Sequence, residues 1–103
     1  MIRYRKGRSR EHILRRKLER TGWFVVRSAG SKGVFDLVAV KEKVVGIQVK
    51  GRKPFRDEIL RIVEVTKGRN IKGVVAVIKE RRWEFYEVGD DGKLRWLSPS
   101  WML

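Results

Sequence analysis

The chain has 103 residues, enough for one domain that buries about two-thirds of its unfolded surface around a single core. Its 26 Lys and Arg residues outnumber 12 Asp and Glu, giving a formal net charge of +14, while a hydrophobic content of 42% argues against wholesale disorder. The absence of cysteine excludes disulfides and thiolate metal sites. The positive charge suggests a polyanionic partner, nucleic acid before an anionic membrane surface. A thermostable surface rich in ion pairs would call for more balanced charge.

The sequence predicts a soluble, cytoplasmic protein with a single domain over residues 1–103. It contains no run of about 18 apolar residues, the length that a membrane-spanning helix needs, and no signal-peptide pattern opens the chain. Residues 1–8, MIRYRKGR, form a basic arm. This arm is either a tail that grips phosphate or a solvated terminus.

The first helix is predicted from Ser9, a favourable N-cap, to Thr21, where a glycine follows and ends it. Glu11 lies at the border of the apolar stripe of this helix. It can either point towards a sheet or pair with Arg15 four residues later. We expect His12, the only histidine, to be solvated or in contact with phosphate rather than to act as a catalytic base.

Three strands are predicted next, over residues 23–28, 34–40 and 44–50, with the flexible turn AGSKG at residues 29–33. The pattern then changes period. The i, i+3, i+4, i+7 spacing of apolar positions favours a helix over residues 56–67, although its β-branched residues favour a strand.

The C-terminal part predicts more strands. The apolar run at residues 73–78 is typical of a central strand covered on both faces, and residues 82–88 and 93–97 suggest a hairpin closed by the sequence Asp-Asp-Gly. The order is helix, three strands, helix, strand, hairpin, which predicts an α/β sandwich around a mixed sheet. The apolar tail at residues 96–103 either covers the core of its own domain or contributes to a dimer interface.

Polar groups stand within two otherwise hydrophobic strands. Alternation predicts that Asp36 shares one face with Val34, Val38 and Val40, while Phe35, Leu37 and Ala39 share the opposite face. Gln48 and Lys50 likewise lie on one face of the following strand. Burying a carboxylate, an amide and an ammonium without partners is costly. Together they predict a metal and phosphate site.

Hydrolysis of a phosphodiester needs a hard cation, and magnesium prefers oxygen ligands. Asp36 and Glu11 can supply carboxylates, Gln48 a side-chain carbonyl and Val49 a backbone carbonyl. Lys50 can orient the attacking water or stabilise developing negative charge. With one histidine and no cysteine, the chain has no Ser-His-Asp or Cys-His arrangement.

A helical Glu followed by D-x(11)-Q-x-K, in this order of elements, resembles the PD-(D/E)XK nuclease superfamily. The segment VRSAGSK between Glu11 and Asp36 is most similar to the archaeal-type Holliday junction resolvases and their phage and viral relatives. The resemblance covers roughly residues 6 to 80. It implies an α/β fold with a restriction-endonuclease-like core, a mixed β-sheet flanked by helices in the order α-β-β-β-α-β plus a C-terminal hairpin.

The resemblance also implies a function: Mg²⁺-dependent cutting of paired strands of a four-way DNA junction by a homodimer with two basic clefts. Mn²⁺ is expected to substitute for Mg²⁺. The active-site residues that it implies are Glu11, Arg27, Ser31, Asp36, Gln48 and Lys50, with Glu11, Asp36, Gln48 and Val49 as metal ligands. We expect DNA contacts from Arg3, Arg5, Lys6, Arg8, Arg10, Ser28, Lys32, Arg52 and Lys53.

Gln48 stands where many members of the family have Glu, which removes one negative metal ligand. The sequence therefore leaves other functions open. One is a catalytically weak or inactive DNA-binding module of the same fold, and another is a less selective nicking, repair or restriction-like nuclease. A third is a basic RNA-binding or ribosome-associated protein.

Overall fold

The computed structural model of the chain describes residues 6–28 and 33–103, with side chains from residue 10 onward. Within these ranges no helix is long and apolar enough to cross a membrane. The elements in chain order are α1 (Lys6–Arg20), β1 (Phe24–Arg27), β2 (Leu37–Val40), β3 (Val44–Lys50), α2 (Arg56–Thr66), β4 (Lys72–Lys79), β5 (Arg82–Val88), β6 (Leu94–Leu97) and α3 (Pro99–Met102).

All these strands belong to one sheet, in which their spatial order is the same as their order along the chain. Neighbouring strands are antiparallel except β3 and β4, which are parallel. A parallel pair needs a crossover connection, and α2 provides it. The mixed sheet flanked by helices, with β5 and β6 as the C-terminal hairpin, confirms the predicted α/β fold.

Each face of the sheet carries its own apolar cluster. On the first face α1 packs Leu14 and Leu18 against residues that include Ile47. On the second face α2 packs Ile59 and Ile62 against the sheet. Alternate residues of β4 enter the two clusters, so this strand is covered on both sides as predicted.

The Phe35 ring and α2 pack closely against the second face because two glycines lie side by side there. Gly46 and Gly73 are paired across β3 and β4. A Cβ atom on Gly46 would lie 2.5 Å from the Phe35 ring, and one on Gly73 would lie 2.5 Å from Ile62. The bare backbone at these two positions therefore makes room for an aromatic ring and for α2.

The prediction that Phe35 shares a face with Leu37 and Ala39 is wrong. Leu37 and Ala39 belong to the cluster under α1, whereas Phe35 packs with Ile59 on the other face. The strand begins at Leu37 rather than at the predicted residue 34, so the residues before it do not alternate as in a strand. The space above Gly46 accepts the Phe35 ring instead.

The other predicted boundaries of helices and strands agree with the structure to different degrees. The bounds of β3 are those predicted, and α2 ends one residue earlier than predicted. α1 begins at Lys6 instead of Ser9, so residues 6–8 of the predicted basic arm are helical, in keeping with the high helix propensity of Lys and Arg. Residues 1–5 of that arm and residues 29–32 of the predicted turn lie outside the described residues.

The C-terminal tail covers the core of its own domain, one of the two predicted alternatives. Met102 is 1% exposed and belongs to the cluster under α1. Trp23 Nε1 donates a hydrogen bond to the Met102 carbonyl at 2.8 Å, and the Trp23 and Trp101 rings lie 6.2 Å apart. The short helix α3 was not predicted, although Pro99 at its start is a typical first-turn residue.

We expect Gly46→Ala to destabilise the fold by about 1–3 kcal/mol, because the new methyl group must displace the Phe35 ring. Phe35→Ala removes this obstacle, so adding Gly46→Ala to Phe35→Ala should cost much less than Gly46→Ala alone. Urea denaturation of the wild type, both single variants and the double variant measures the coupling. Strictly additive costs would show that the ring is not what excludes a side chain from position 46.

Candidate active site

The predicted site residues that the structure describes lie at the end of the sheet where β1 and β3 end and β2 begins, with Glu11 and Arg27 on the face of α1 and with Gln48 and Lys50 on the face of α2. Because both pairings are antiparallel, Arg27 at the end of β1 lies opposite Leu37, and Leu37 lies opposite Ile47 near the end of β3. The N-terminal half of α1 and the N-terminus of α2 reach the same end of the sheet through side-chain contacts with Arg27 and Lys50.

Asp36 is fixed by three hydrogen bonds just before β2. Its backbone N–H donates to the Ile47 carbonyl at 2.8 Å, and its own carbonyl accepts from the Ser28 N–H at 2.9 Å. Its Oδ2 atom accepts from the backbone N–H of Val49 at 2.8 Å. Asp36 is therefore bonded to the backbone of the residues on both sides of Gln48, which fixes its carboxylate at the end of β3.

Gln48 carries a buried oxygen that no described residue satisfies. The residue is 9% exposed, and its Nε2 atom donates to the Val34 carbonyl at 2.9 Å. This bond fixes the amide orientation, because an oxygen in that position would face another oxygen. Oε1 is buried and has no hydrogen-bond partner within the described part of the chain. Such an acceptor is suited to a ligand that brings positive charge or a donor.

Val49 adds a backbone oxygen to this end of the sheet. In a strand the N–H and the carbonyl of one residue point towards the same neighbouring strand. Since the Val49 N–H points at Asp36, its carbonyl points to the same side. The oxygen donors predicted from Asp36 and Val49 thus lie on the same side of β3, and Gln48 lies between Ile47 and Val49 on that strand.

Glu11 points towards the sheet, which is one of the two predicted alternatives. Its Oε1 atom accepts from Arg27 Nε at 3.2 Å, and its side chain is 18% exposed. Arg15 pairs instead with Glu19. Because Arg27 directly precedes Ser28, which bonds Asp36, the ion pair lies next to the Asp36 loop.

Lys50 is held by a carboxylate that the sequence analysis missed. Its Nζ atom lies 2.7 Å from Oε2 of Glu58, in the first turn of α2. Glu58 Oε1 also accepts from Arg52 at 3.1 Å and from the backbone N–H of Phe55 at 2.7 Å. The hydrogen bond from Arg52, followed by those from Lys50 and Phe55, lowers the pKa of Glu58 to about 2.

A signal for Glu58 was present in the sequence. A glutamate at the third position of a helix often accepts a hydrogen bond from the N-cap backbone. Here the N-cap residue is Phe55, which is not one of the usual N-cap residue types, so the pattern did not stand out.

The described residues contain no group of three or more His, Cys, Asp or Glu side chains arranged to hold a metal ion. Position 48, a predicted metal ligand, carries a neutral amide. The donor set is rich in oxygen, and its unsatisfied amide oxygen fits a hard cation such as Mg²⁺. A cation here would depend on neutral oxygens as much as on carboxylates.

The predicted DNA-contacting residues lie partly around this site. The Arg10 guanidinium covers Gly51, where an added Cβ would lie 2.6 Å from Nη2, and Ser28 Oγ would lie 2.9 Å from a Cβ on Gly33. Arg52 and Lys53 follow β3 directly and are exposed. Lys6 and Arg8 lie in α1 without described side chains. The predicted residues outside the described ranges are Arg3, Arg5, Ser31 and Lys32.

This sheet, with an aspartate, an amide and a lysine at one end, defines the chain as an α/β protein with a restriction-endonuclease-like core. The family model of the archaeal Holliday junction resolvases (Hjc) matches residues 2–91. The chain therefore belongs to the archaeal Holliday junction resolvase family, which confirms the resemblance seen in the sequence.

Two relatives agree with this assignment. The crossover junction endodeoxyribonuclease Hjc of Methanocaldococcus jannaschii is 64% identical over 36 residues, which are 35% of this chain and 26% of that protein. The match thus spans about a quarter of the length of that relative. The structure of Hjc from Archaeoglobus fulgidus, a Holliday junction resolvase from an archaeal hyperthermophile, matches with a TM-score of 0.63 and 27% identity over 75% of this chain and 74% of that one.

We expect Glu58→Gln to lower the stability at pH 7 by roughly 1–2 kcal/mol, a value discounted for the partial exposure of the pair. Because folding depresses the pKa of Glu58 to about 2, its contribution is complete above its usual pKa of 4.5 and is lost as the pH falls towards 2. Urea denaturation between pH 7 and pH 3 should show the difference from wild type shrinking.

The matched control is Glu19→Gln, which removes an exposed pair with Arg15 on α1. Its effect should stay below about 0.5 kcal/mol. A difference between Glu58→Gln and wild type that does not change with pH would contradict the assigned role of the Glu58 charge.

Proposed function

We propose that the protein is a metal-dependent, structure-selective DNA endonuclease that resolves four-way junctions by phosphodiester hydrolysis. The observation that supports it most is the unsatisfied, buried oxygen of Gln48 near the end of β3, the strand whose Val49 N–H holds the Asp36 carboxylate. Lys50 follows two residues later on the same strand, and the chain belongs to a resolvase family.

The cofactor that we propose is Mg²⁺, with Mn²⁺ as a substitute. Asp36 Oδ, Gln48 Oε1 and the Val49 carbonyl would hold it, with Glu11 as the further carboxylate at this end of the sheet. Such a cation neutralises a phosphate and lowers the pKa of a bound water. The donor set supports a hard cation because every donor is an oxygen.

The side chains of the site have separate tasks in this proposal. Lys50, 24% exposed and held by Glu58, keeps its ammonium where it can stabilise negative charge developing on the phosphate. Arg27, held by Glu11, offers its remaining N–H donors to a phosphate oxygen. Asp36 is oriented by the Val49 N–H and does not need to reorganise when substrate arrives.

DNA is the substrate that the charge supports. A net charge of +14 favours a polyphosphate, and Arg10, Arg52 and Lys53 surround the end of β3. Selection of a four-way junction would come from the geometry of the bound strands and from the homodimer with two clefts that the family resemblance implies. The homodimer stays a prediction, and sedimentation velocity of the full chain measures it.

One observation favours a second candidate, a DNA-binding module with little or no cleavage. The described residues bring no cluster of three metal-binding His, Cys, Asp or Glu side chains together, and the amide of Gln48 is neutral. A weakly held cation would leave binding intact and slow the chemistry. The two candidates differ in whether a junction is cut when Mg²⁺ is added.

Asp36→Asn should abolish Mg²⁺-dependent cleavage of a four-way junction while keeping junction affinity within about twofold, because it removes a charge from the metal site and leaves the basic surface unchanged. Asp57→Asn, an exposed substitution of the same type on α2, is the control and should cut like the wild type. If wild type and Asp36→Asn bind equally and neither cuts, the binding module replaces the nuclease.

Gln48→Glu should lower the Mg²⁺ concentration needed for half-maximal cleavage by about tenfold, because it turns the unsatisfied neutral oxygen into a charged ligand. The rate can be titrated with Mg²⁺ and with Mn²⁺. A metal titration that does not differ from wild type would remove the side chain of residue 48 from the metal site.

A further inference from the structure

A row of aromatic and basic side chains, all exposed except one half-buried tyrosine, begins beside the candidate active site and is not used in the proposed hydrolysis. We call it the aromatic strip and define it as Arg52, Lys53, Phe55, Tyr86 and Trp96. The strip joins the loop between β3 and α2 to the outer strands β5 and β6 on the sheet face that carries α2.

Phe55 occupies a position where its side chain does nothing for the helix. It is the N-cap residue of α2, has no side-chain cap hydrogen bond, and is 59% exposed. Ser, Thr, Asp or Asn would be favoured at this position. A local preference that is overridden in this way is a sign of function, and the exposed part of the ring remains accessible to a ligand.

Arg52 is stacked on that ring. Its Cζ atom lies 3.8 Å from the Phe55 ring centroid. Three of its hydrogen bonds go to protein oxygens, two to Glu58 and one to the Lys53 carbonyl. Since these contacts hold the guanidinium over the ring, the two groups are pre-organised before any ligand arrives.

Two further aromatic rings stand on the outer strands. Tyr86 and Trp96 are directly opposite each other across β5 and β6, so they share a face. Trp96 is 63% exposed. Lys53 Nζ lies 5.3 Å from the Tyr86 ring centroid, so an ammonium again accompanies an aromatic side chain.

The strip is connected to the candidate active site through Glu58. The same carboxylate holds Lys50 at 2.7 Å and Arg52 at 3.1 Å. A DNA strand with one phosphate at Lys50 would therefore reach the Arg52–Phe55 stack next. Both its position and its composition therefore suit the aromatic strip to contact the DNA strand that is cut.

We propose that the aromatic strip binds unpaired bases of the DNA strand that leaves the active site, stacking them on Phe55 and Trp96 while Arg52 and Lys53 contact the phosphates. This inference rests on the proposed function. Bases stack on aromatic rings whatever their sequence, and basic side chains follow the backbone. At a branch point strands exchange partners, so bases there are among the least costly to unstack.

Charge favours a nucleic acid over a second copy of this chain as the occupant. The strip carries two cations of its own, and the chain has a net charge of +14. A symmetric contact between two copies would bring these like charges together, which is unfavourable. A polyanion neutralises them instead.

The test uses the full chain with Asp36→Asn and no divalent metal, so that binding is measured without cleavage. The probe is a four-way junction with three unpaired nucleotides at the branch point, one of them the fluorescent base 2-aminopurine. The reference is the same junction fully paired. Binding should quench the 2-aminopurine fluorescence, and Phe55→Ala or Trp96→Ala should each weaken binding of the probe about tenfold while changing the reference less than twofold.

Phe24→Ala is the control, because Phe24 is 69% exposed on β1, at the opposite edge of the sheet from β6. It should change neither affinity. Equal losses on probe and reference for Phe55→Ala and Trp96→Ala would overturn the inference, as would a Trp96→Ala protein that loses self-association in sedimentation velocity. Cleavage of the junction by the wild type with Mg²⁺ is measured separately. Cleavage without quenching of the 2-aminopurine fluorescence refutes only the binding of bases by the aromatic strip. Quenching without cleavage refutes only the nuclease proposal.

Discussion

The hydrogen bond from the Val49 N–H to the Asp36 carboxylate organises this end of the molecule. β3 continues to Lys50, whereas β2 begins only at Leu37, opposite Ile47. The last N–H group of β3 on that side therefore has no strand partner, and a backbone donor at the edge of a core needs an acceptor. Asp36 supplies it at 2.8 Å. The position of the carboxylate is thus determined by the backbone of the neighbouring strand, which holds a candidate metal ligand in place without any metal.

The same end of the sheet contains the least satisfied polar group among the described residues. Leaving a buried acceptor such as Gln48 Oε1 without a partner costs about 1–3 kcal/mol. The Nε2 atom of the same amide donates to the Val34 carbonyl, which fixes the orientation of the amide. A side chain that is fixed at one atom and unsatisfied at the other, on the strand that also holds a carboxylate, is suited to binding a ligand. Phe55, in the loop that follows β3, also departs from local preference, because it is an exposed aromatic residue at the N-cap of a helix.

Local sequence patterns predict much of the fold. The predictions that failed concern features that depend on residues far away in the sequence. The alternation in β3 and the apolar spacing in α2 predicted both elements to within one residue. The face of Phe35 could not be read from its own segment, because it depends on the empty position at Gly46 on another strand. Within the site, convergence of Asp36 and Gln48 followed from two adjacent strands. The link between Lys50 and Glu58 did not, since it depends on how the loop between β3 and α2 folds back.

The ion pairs at the site explain how so basic a chain can place cations close to one another. Each cation that the site needs is held by a carboxylate, Arg27 by Glu11 and Lys50 by Glu58. Glu58 serves Arg52 as well, and this sharing matters for an arriving phosphate. If the phosphate draws Lys50 towards itself, Glu58 keeps Arg52 and the Phe55 N–H as partners and is not left as an unpaired charge. The arrangement thus lowers the cost of releasing Lys50 to the substrate, while it fixes the ammonium at the end of β3 until then.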